Sequence, residues 1–372
     1  MSARKQVVFC TDGIFPHAVG GMQRHSSLLI EELAKSGKFS LVAIHPHKEK
    51  VFNPSLGIKE IPLDFQNNGK NYLLNSYKYS GKVLKELKAY PDAIIYSQGL
   101  SVWKGISEVK DRLIINPHGL EPYQTIEPFK YFKALRFRLI FNYLFSKAKV
   151  VISLGGKLTD ILVNLTNDNE KIVVIPNAVN VGELPERKYD NEPLQLLFVG
   201  RFSYNKGIRV LMTAIKDLNN EGYKGRIKYN LVGKGPEFDH YVKNFSYPNV
   251  NFLGFASDEE LQRLYIENDL FVFPTLYEGM PTVVLEAMAK GMPTIVSETG
   301  ATAEQVDTRN GYLIEKNNVR ALKWAIQAFY QLNEDKRKEM SIVSYQRVKE
   351  KFTWPIVARR HEELFNTFMA NQ

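Results

Sequence analysis

Two α/β domains of similar length, each a doubly wound parallel sheet flanked by helices, are the fold that this sequence predicts. Three observations carry the prediction. The chain has 372 residues, too many for one ordinary hydrophobic core. Short runs rich in Val and Ile alternate with longer amphipathic stretches, which is the rhythm of β-α-β units. The rhythm breaks once in mid-chain, at Gly182–Pro193, a polar stretch with two prolines and no periodicity.

The strand runs of the first half are Val7–Cys10, Leu41–Ile44, Ala93–Tyr96, Leu113–Ile115, Val150–Ile152 and Ile172–Ile175. They are mostly continuous rather than alternating, as suits parallel strands buried on both faces. Amphipathic stretches such as Met22–Lys35 and Lys70–Ala89 lie between them. The second half repeats the pattern with Leu194–Val199, Ile227–Val232, Val250–Leu253, Leu270–Phe273, Thr294–Val296 and Tyr312–Ile314. From about Asn318 the chain reads as helical, with Trp324, Phe329 and Tyr330 expected to supply core contacts. Phe352–Pro355 is a break, and Pro355 opens a last helix to about Met369. The expected division is residues 1–182, a linker at 183–193, a second domain at 194–354 and a terminal helix at 355–372 that crosses back to the first domain. Ligands sit beyond the carboxyl ends of strands in such sheets, so a cleft between two facing domains is the expected active site.

Composition narrows the class. Hydrophobic residues make up 44% and charged residues 24%, as in ordinary globular proteins. The single cysteine, Cys10, ends an apolar run and reads as a buried strand residue. It excludes a disulfide framework and fits a reducing, cytoplasmic setting. No apolar run approaches a membrane span, and the N-terminal apolar stretch is too short for a signal peptide, so a soluble or peripheral protein is expected. The net charge of +9 suits phosphate-bearing small molecules or anionic surfaces. The absence of a recognised nucleic-acid motif argues against a nucleic-acid partner.

The strongest local signal is Glu278-Gly279-Met280-Pro281-Thr282-Val-Val-Leu-Glu286, directly after the strand Leu270–Phe273. The spacing of Val283, Val284, Ala287 and Met288 puts Glu286 on a helix and Glu278 in the loop before it. Such a loop aims backbone N–H groups and a helix N-terminus at an anion. Two carboxylates there would repel a bare diphosphate and make sense facing hydroxyls. Glu286 is expected to accept hydrogen bonds from a ribose diol and Glu278 to face a sugar. Arg201 follows a strand end and Lys206 is expected to open a helix, so both suit neutralisation of a diphosphate, Arg by its planar fork and Lys as a point charge. The chain has no Asp-x-Asp, the usual metal-diphosphate motif, so cations rather than a metal are expected to take that charge.

Weaker signals lie in the first half. Gly20-Gly21 precede a helix and permit close approach to a phosphate. His118, in Asn116-Pro-His-Gly119, follows a strand end. His17 lies in the loop before Gly20, within reach of an acceptor. His25 reads as a packed helix residue, and His45 and His47 as surface residues. Their scatter has no zinc-ligand spacing. Phe129–Lys149 is aromatic and basic, with Lys130, Lys133, Arg136, Arg138, Lys147 and Lys149 and no acid, which suits contact with an anionic membrane as well as a core helix with a solvated basic edge.

Several of these segments, in order, resemble the family 4 retaining glycosyltransferases. Glu278–Glu286 with the following Ala-Met-Ala resembles the family's E-x7-E signature. Gly200-Arg201 with Lys206-Gly207 is similar to its G-R-x-x-x-x-K-G element, and Val232-Gly-Lys-Gly-Pro236 to its V-G-x-G-P turn. Val174-Ile-Pro-Asn177-Ala-Val resembles I-P-N-G-V, with Ala178 in place of Gly, and Asn268–Pro274 resembles A-D-x-F-V-x-P, with Asn268 in place of Ala.

The resemblance implies the GT-B fold, with nucleotide and diphosphate held by the second half and the acceptor by the first. It implies transfer from a nucleotide-sugar, UDP before GDP on family frequency, with retention of configuration and no metal or other cofactor. Glu278, His118, Arg201 and Lys206 are the expected catalytic set, with His118 facing the donor sugar. Gly20, Gly21, Gly233, Gly254, Phe255, Gly279, Met280, Pro281, Thr282 and Glu286 are the further expected donor contacts. The expected partners are the donor, a glycan or lipid-linked acceptor and an anionic membrane surface. A nucleotide-sugar epimerase of the same fold and a non-catalytic nucleotide-sugar-binding protein are the rivals, which incubation with donor alone separates.

Overall fold

A computed structural model describes residues 4–65, 71–124, 128–189, 192–245 and 247–370, with side chains for all of these but 128–133, 369 and 370. The chain forms two compact units, Met1–Asn177 with Trp354–Gln372, and Ala178–Thr353.

The first unit holds seven strands, β1 Lys5–Cys10, β2 Phe39–His45, β3 Lys59–Pro62, β4 Ile94–Gln98, β5 Leu113–Asn116, β6 Val150–Ser153 and β7 Ile172–Val174. They pair in the order β3-β2-β1-β4-β5-β6-β7, all parallel. Val7 to Cys10 and all of β4 are buried, as the continuous apolar runs predict. The strand that the sequence reading misses is β3. It is an edge strand ending in Pro62 and only partly buried, so it carries no apolar run to betray it.

The helix Trp354–Ala370 belongs to this unit because Phe365 is fully buried in its core. The Phe365 ring meets those of Phe9 at 6.3 Å and Phe39 at 5.5 Å, while Tyr96 lies tilted against Phe9 at 4.9 Å. Lys38 Nζ pairs with Glu362 at 2.6 Å beside them.

The second unit holds β8 Leu194–Val199, β9 Ile227–Val232, β10 Val250–Gly254, β11 Leu270–Phe273, β12 Thr294–Ser297 and β13 Gly311–Ile314. They pair in the order β10-β9-β8-β11-β12-β13, again all parallel. The polar stretch read as a linker is bound to this unit. The Arg187 guanidinium donates to the backbone carbonyls of Lys290 at 2.7 Å, Asn268 at 2.6 Å and Tyr265, and Tyr189 is buried.

Two expectations about side chains fail. Trp324 is exposed, its ring edge-on to Tyr312 at 5.6 Å, while Phe329 is buried as expected. His45 is buried rather than at the surface, because Glu60 at the edge strand offers it a carboxylate at 3.2 Å. His47 is half-buried, with its Nε2 accepting from Ile14 N–H at 2.8 Å. Cys10 is buried, and burial raises its thiol pKa, which makes it a poor nucleophile. Among the described residues no helix is long and apolar enough to cross a membrane.

Candidate functional site

In each sheet the order of crossing reverses beside the first strand, between β1 and β4 and between β8 and β11. Such switch points open crevices at the carboxyl ends of strands. The residues singled out in the second half gather at the one between β8 and β11.

The loop after β8 is anchored by Phe202. It is fully buried, with its ring 5.0 Å from that of Phe238 and 5.9 Å from that of Phe198, and it leaves the preceding Arg201 exposed. The loop after β9 lies on this one backbone to backbone. Gly233 has φ +124°, and a Cβ there would fall 2.0 Å from the Gly200 carbonyl oxygen, so only glycine fits. Its N–H donates to Gly254 at the end of β10 at 2.6 Å. Three strand ends are knitted together in this way, with Phe255 exposed beside them.

The loop after β11 brings the charges together. Thr275 Oγ1 and the Leu276 N–H both donate to the Asn205 carbonyl at 2.9 Å, which fixes the short turn Tyr204–Lys206 against it. Lys206 ends this turn and does not open the helix, which starts at Ile208 after Gly207. Its ammonium pairs with the Glu278 carboxylate and lies 5.7 Å from the Phe273 ring centroid. Both side chains are half-buried.

Gly279 to Pro281 is held from below. The Ala301 N–H donates to the Gly279 carbonyl at 2.8 Å and Gln305 Nε2 to the Pro281 carbonyl at 3.0 Å. Gly300, at φ +51°, passes so close that a Cβ would meet the Glu278 and Gly279 carbonyl oxygens at 2.3 Å. The helix Thr282–Ala289 follows, and no side chain caps its start. On it Glu286 accepts a hydrogen bond from the Tyr265 hydroxyl at 3.0 Å. Gly300, Gln305 and Tyr265 all escaped the sequence reading. Gly300 alone left a trace, a glycine just past a strand end.

The remaining expected site residues lie in the first unit. Gly20 has extended backbone, and the space where a Gly21 side chain would be is open. His118 sits at φ +56°, with its N–H donating to Asn116 Oδ1 at 3.0 Å. Its ring meets that of His25 at 4.8 Å, and its Nε2 is buried with no hydrogen-bond partner. Burial, with a smaller contribution from His361, pushes its pKa down to about 3, so the imidazole is neutral at physiological pH.

Of the four expected membrane contacts, the side chains of Lys130 and Lys133 lie outside the described residues. Arg136 is exposed. Arg138 donates through Nε to the Pro122 carbonyl at 2.7 Å and lies over the Tyr123 ring, so it braces the short helix Glu121–Gln124. Among the described residues no group of three or more His, Cys, Asp or Glu is placed to hold a metal ion.

Two doubly wound parallel sheets, with a glutamate-bearing loop and helix at the switch point of the second, define a GT-B protein. The fold is that of a sucrose-phosphate synthase from Thermosynechococcus elongatus, at TM-score 0.81 and 19% identity over 99% of this chain and 100% of the other. It is also that of Anabaena HepE, solved in complex with UDP and glucose, at TM-score 0.73 and 17% identity over 98% and 100%. The family model "Glycosyl transferases group 1" matches residues 183–347, and "Glycosyltransferase Family 4" matches residues 19–183. A glycosyltransferase of Methanocaldococcus jannaschii, itself uncharacterized, is 26% identical over 90% of this chain and 91% of its own length. A capsular polysaccharide biosynthesis glycosyltransferase, CapM of Staphylococcus aureus, is 27% identical over 66% and 68%. The chain belongs to the group 1 glycosyltransferases and is family 4-like.

Proposed function

We propose that the chain moves a hexosyl unit from a nucleotide-sugar, UDP-sugar before GDP-sugar, to a glycan or lipid-linked acceptor, with retention and without a metal. The observation that carries this reading is the pairing of Lys206, after β8, with Glu278, after β11, with Arg201 exposed in the same loop as Lys206. As the sugar leaves, charge builds on the departing diphosphate, and Arg201 and Lys206 neutralise it. Glu286, steadied by Tyr265, accepts from the ribose hydroxyls. Glu278 and the neutral His118 orient the sugar. Attack is from the front face, with the donor's own phosphate taking the acceptor proton. The backbone of Gly20, Gly21, Gly233, Gly254, Phe255 and Gly279 to Thr282 completes the donor site.

The relatives favour this setting. CapM is named for capsular polysaccharide biosynthesis, and HepE was solved with UDP and glucose. Cell-envelope polysaccharide or glycoconjugate synthesis at the cytoplasmic face of a membrane is the corresponding role. The helix Pro128–Lys147 is then the peripheral contact, with Arg136 beside the exposed Leu135, Leu139 and Tyr143. The test is incubation with a panel of UDP- and GDP-sugars, with and without chelator. Slow release of nucleoside diphosphate, unchanged by chelator, is expected. Loss on chelation removes the metal-independent mechanism, an epimeric product makes the chain an epimerase, and turnover of no nucleotide-sugar defeats the reading.

A further inference from the structure

The switch point of the first unit, between β1 and β4, is also a crevice. Asp12 lies just past the end of β1, and Gly99 and Leu100 just past the end of β4. Two chambers open there, of about 560 and 570 Å³, each large enough for a small-molecule ligand. They share three walls, Asp12, Tyr72 and Leu100.

Their chemistry differs. The first chamber is mixed, with His17, His47, Lys48, Glu49 and Asp64 among apolar walls such as Phe65 and Leu100. The second is mostly apolar, with Met22, Ala134, Phe137 and Phe141 among its walls beside Glu121. Tyr72 belongs to both, and its ring lies 6.2 Å from that of Phe137. At the junction the Asp12 carboxyl accepts a hydrogen bond from Gln23 Nε2 at 3.3 Å. Burial pushes its pKa up to about 6. A partly desolvated carboxylate is costly, and hydroxyl donors from a ligand would offset that cost.

A saccharide alone would leave the apolar chamber wet, and a lipid alone would add no donor to the Asp12 carboxylate beyond Gln23 Nε2. We propose that one amphipathic glycoside fills both chambers, with a sugar hydroxyl donating to Asp12 and an alkyl or polyprenyl aglycone against Met22, Phe137 and Phe141. The inference rests on the reading of the chain as a glycosyltransferase, since it assigns this crevice to the acceptor. It names the acceptor's chemical class and makes Asp12 its specificity-determining contact.

The test is calorimetric binding of methyl, hexyl and octyl glycosides of glucose, galactose and N-acetylglucosamine, below their micelle concentrations and without donor. For at least one sugar, affinity should rise at least tenfold from methyl to octyl, as burial of added methylenes requires. Asp12→Asn should weaken the methyl and octyl compounds alike, by roughly tenfold or more. Phe137→Ser, or Ala134→Leu should the first not fold, should abolish the gain with chain length and spare the methyl glycoside. Equal affinity for methyl and octyl compounds, no binding by any of them, or full affinity in Asp12→Asn overturns the proposal. Because no donor is present, failure of nucleotide-sugar turnover would leave this result standing. An active transferase indifferent to chain length would lose this inference and keep the proposed function.

Discussion

At the switch point of the second unit, charges of both signs keep some contact with water, with Lys206 against Glu278, Arg201 exposed and Glu286 held by Tyr265. At the corresponding point of the first unit, Asp12 and His47 are driven toward neutrality, beside Lys48, Glu49 and Asp64. Burial raises the Asp12 carboxyl to about 6 and lowers His47 to about 4, and past the end of β5 it lowers His118 to about 3. One topology thus presents two chemistries. If the second unit takes a diphosphate, as proposed, its cations must stay charged, and partial solvation keeps them so. If the first takes hydroxyls and hydrocarbon, as proposed, both hydrogen bonds and apolar contact gain from the loss of water when it fills.

The comparison can be broken at the level of the cores. Phe365→Ala should cost about 3–5 kcal/mol, as buried aromatic truncations do. Calorimetric melting should show the loss in the transition of the first unit alone. An equal shift in both units would mean that the terminal helix is not specific to the first core. Next in size, Lys206→Ala and Arg201→Ala should each lower kcat by about 10²–10³-fold, the usual scale for one lost transition-state donor. Steady-state kinetics with the donor decides this, and full activity in the double variant removes the cationic clamp.

Smaller effects sharpen the contrast. Glu286→Ala should weaken free nucleoside diphosphate by roughly 1.5–3 kcal/mol, and Tyr265→Phe by about 0.5–1.5 kcal/mol. Glu278→Ala should depress turnover more than nucleotide binding. Equal losses on the free nucleotide at positions 278 and 286 would show that the two roles are wrongly divided.

The smallest effect concerns Asp12 and pH. Its folded-state pKa, about 6, lies above the ordinary 3.8, so folding favours its protonated form. The stability that this group contributes is fully present below about pH 4 and lost as pH rises through 6. Asp12→Asn should therefore raise Tm by a few degrees at pH 7.5 and by little at pH 4. A gain of the same size at both pH values would mean that desolvation of the charged carboxylate is not the cause.

The second unit's site was legible because its parts are near one another in sequence. Glu278 to Glu286 spans one loop and little more than one helical turn, and Arg201 to Gly207 one loop, so residue type and spacing speak directly. What supports them was not legible. Tyr265 reaches Glu286 from 21 positions away, and Gly300 lies under Glu278 only once β12 is in place. The first unit's crevice was hidden for the same reason. Asp12, Tyr72, Leu100 and Phe137 meet through tertiary folding alone, and a lone aspartate after a strand has no pattern. Continuous apolar runs revealed the central strands, whereas β3, which pairs on one side only, had none. Trp324 misled because helical spacing identifies a face without saying whether that face is covered.

The first unit is assembled from two separated stretches of chain, Met1–Asn177 and Trp354–Gln372, while the second is one continuous stretch between them. That division reverses the order of assembly during translation. A ribosome delivers the first seven strands early, yet Val357 and Phe365 must wait until the whole second unit has been made. Until then Phe9 and Phe39 lack a covering side chain, and the nascent first unit presents an apolar face of the kind that chaperones bind. The second unit, needing nothing from outside itself, can close first.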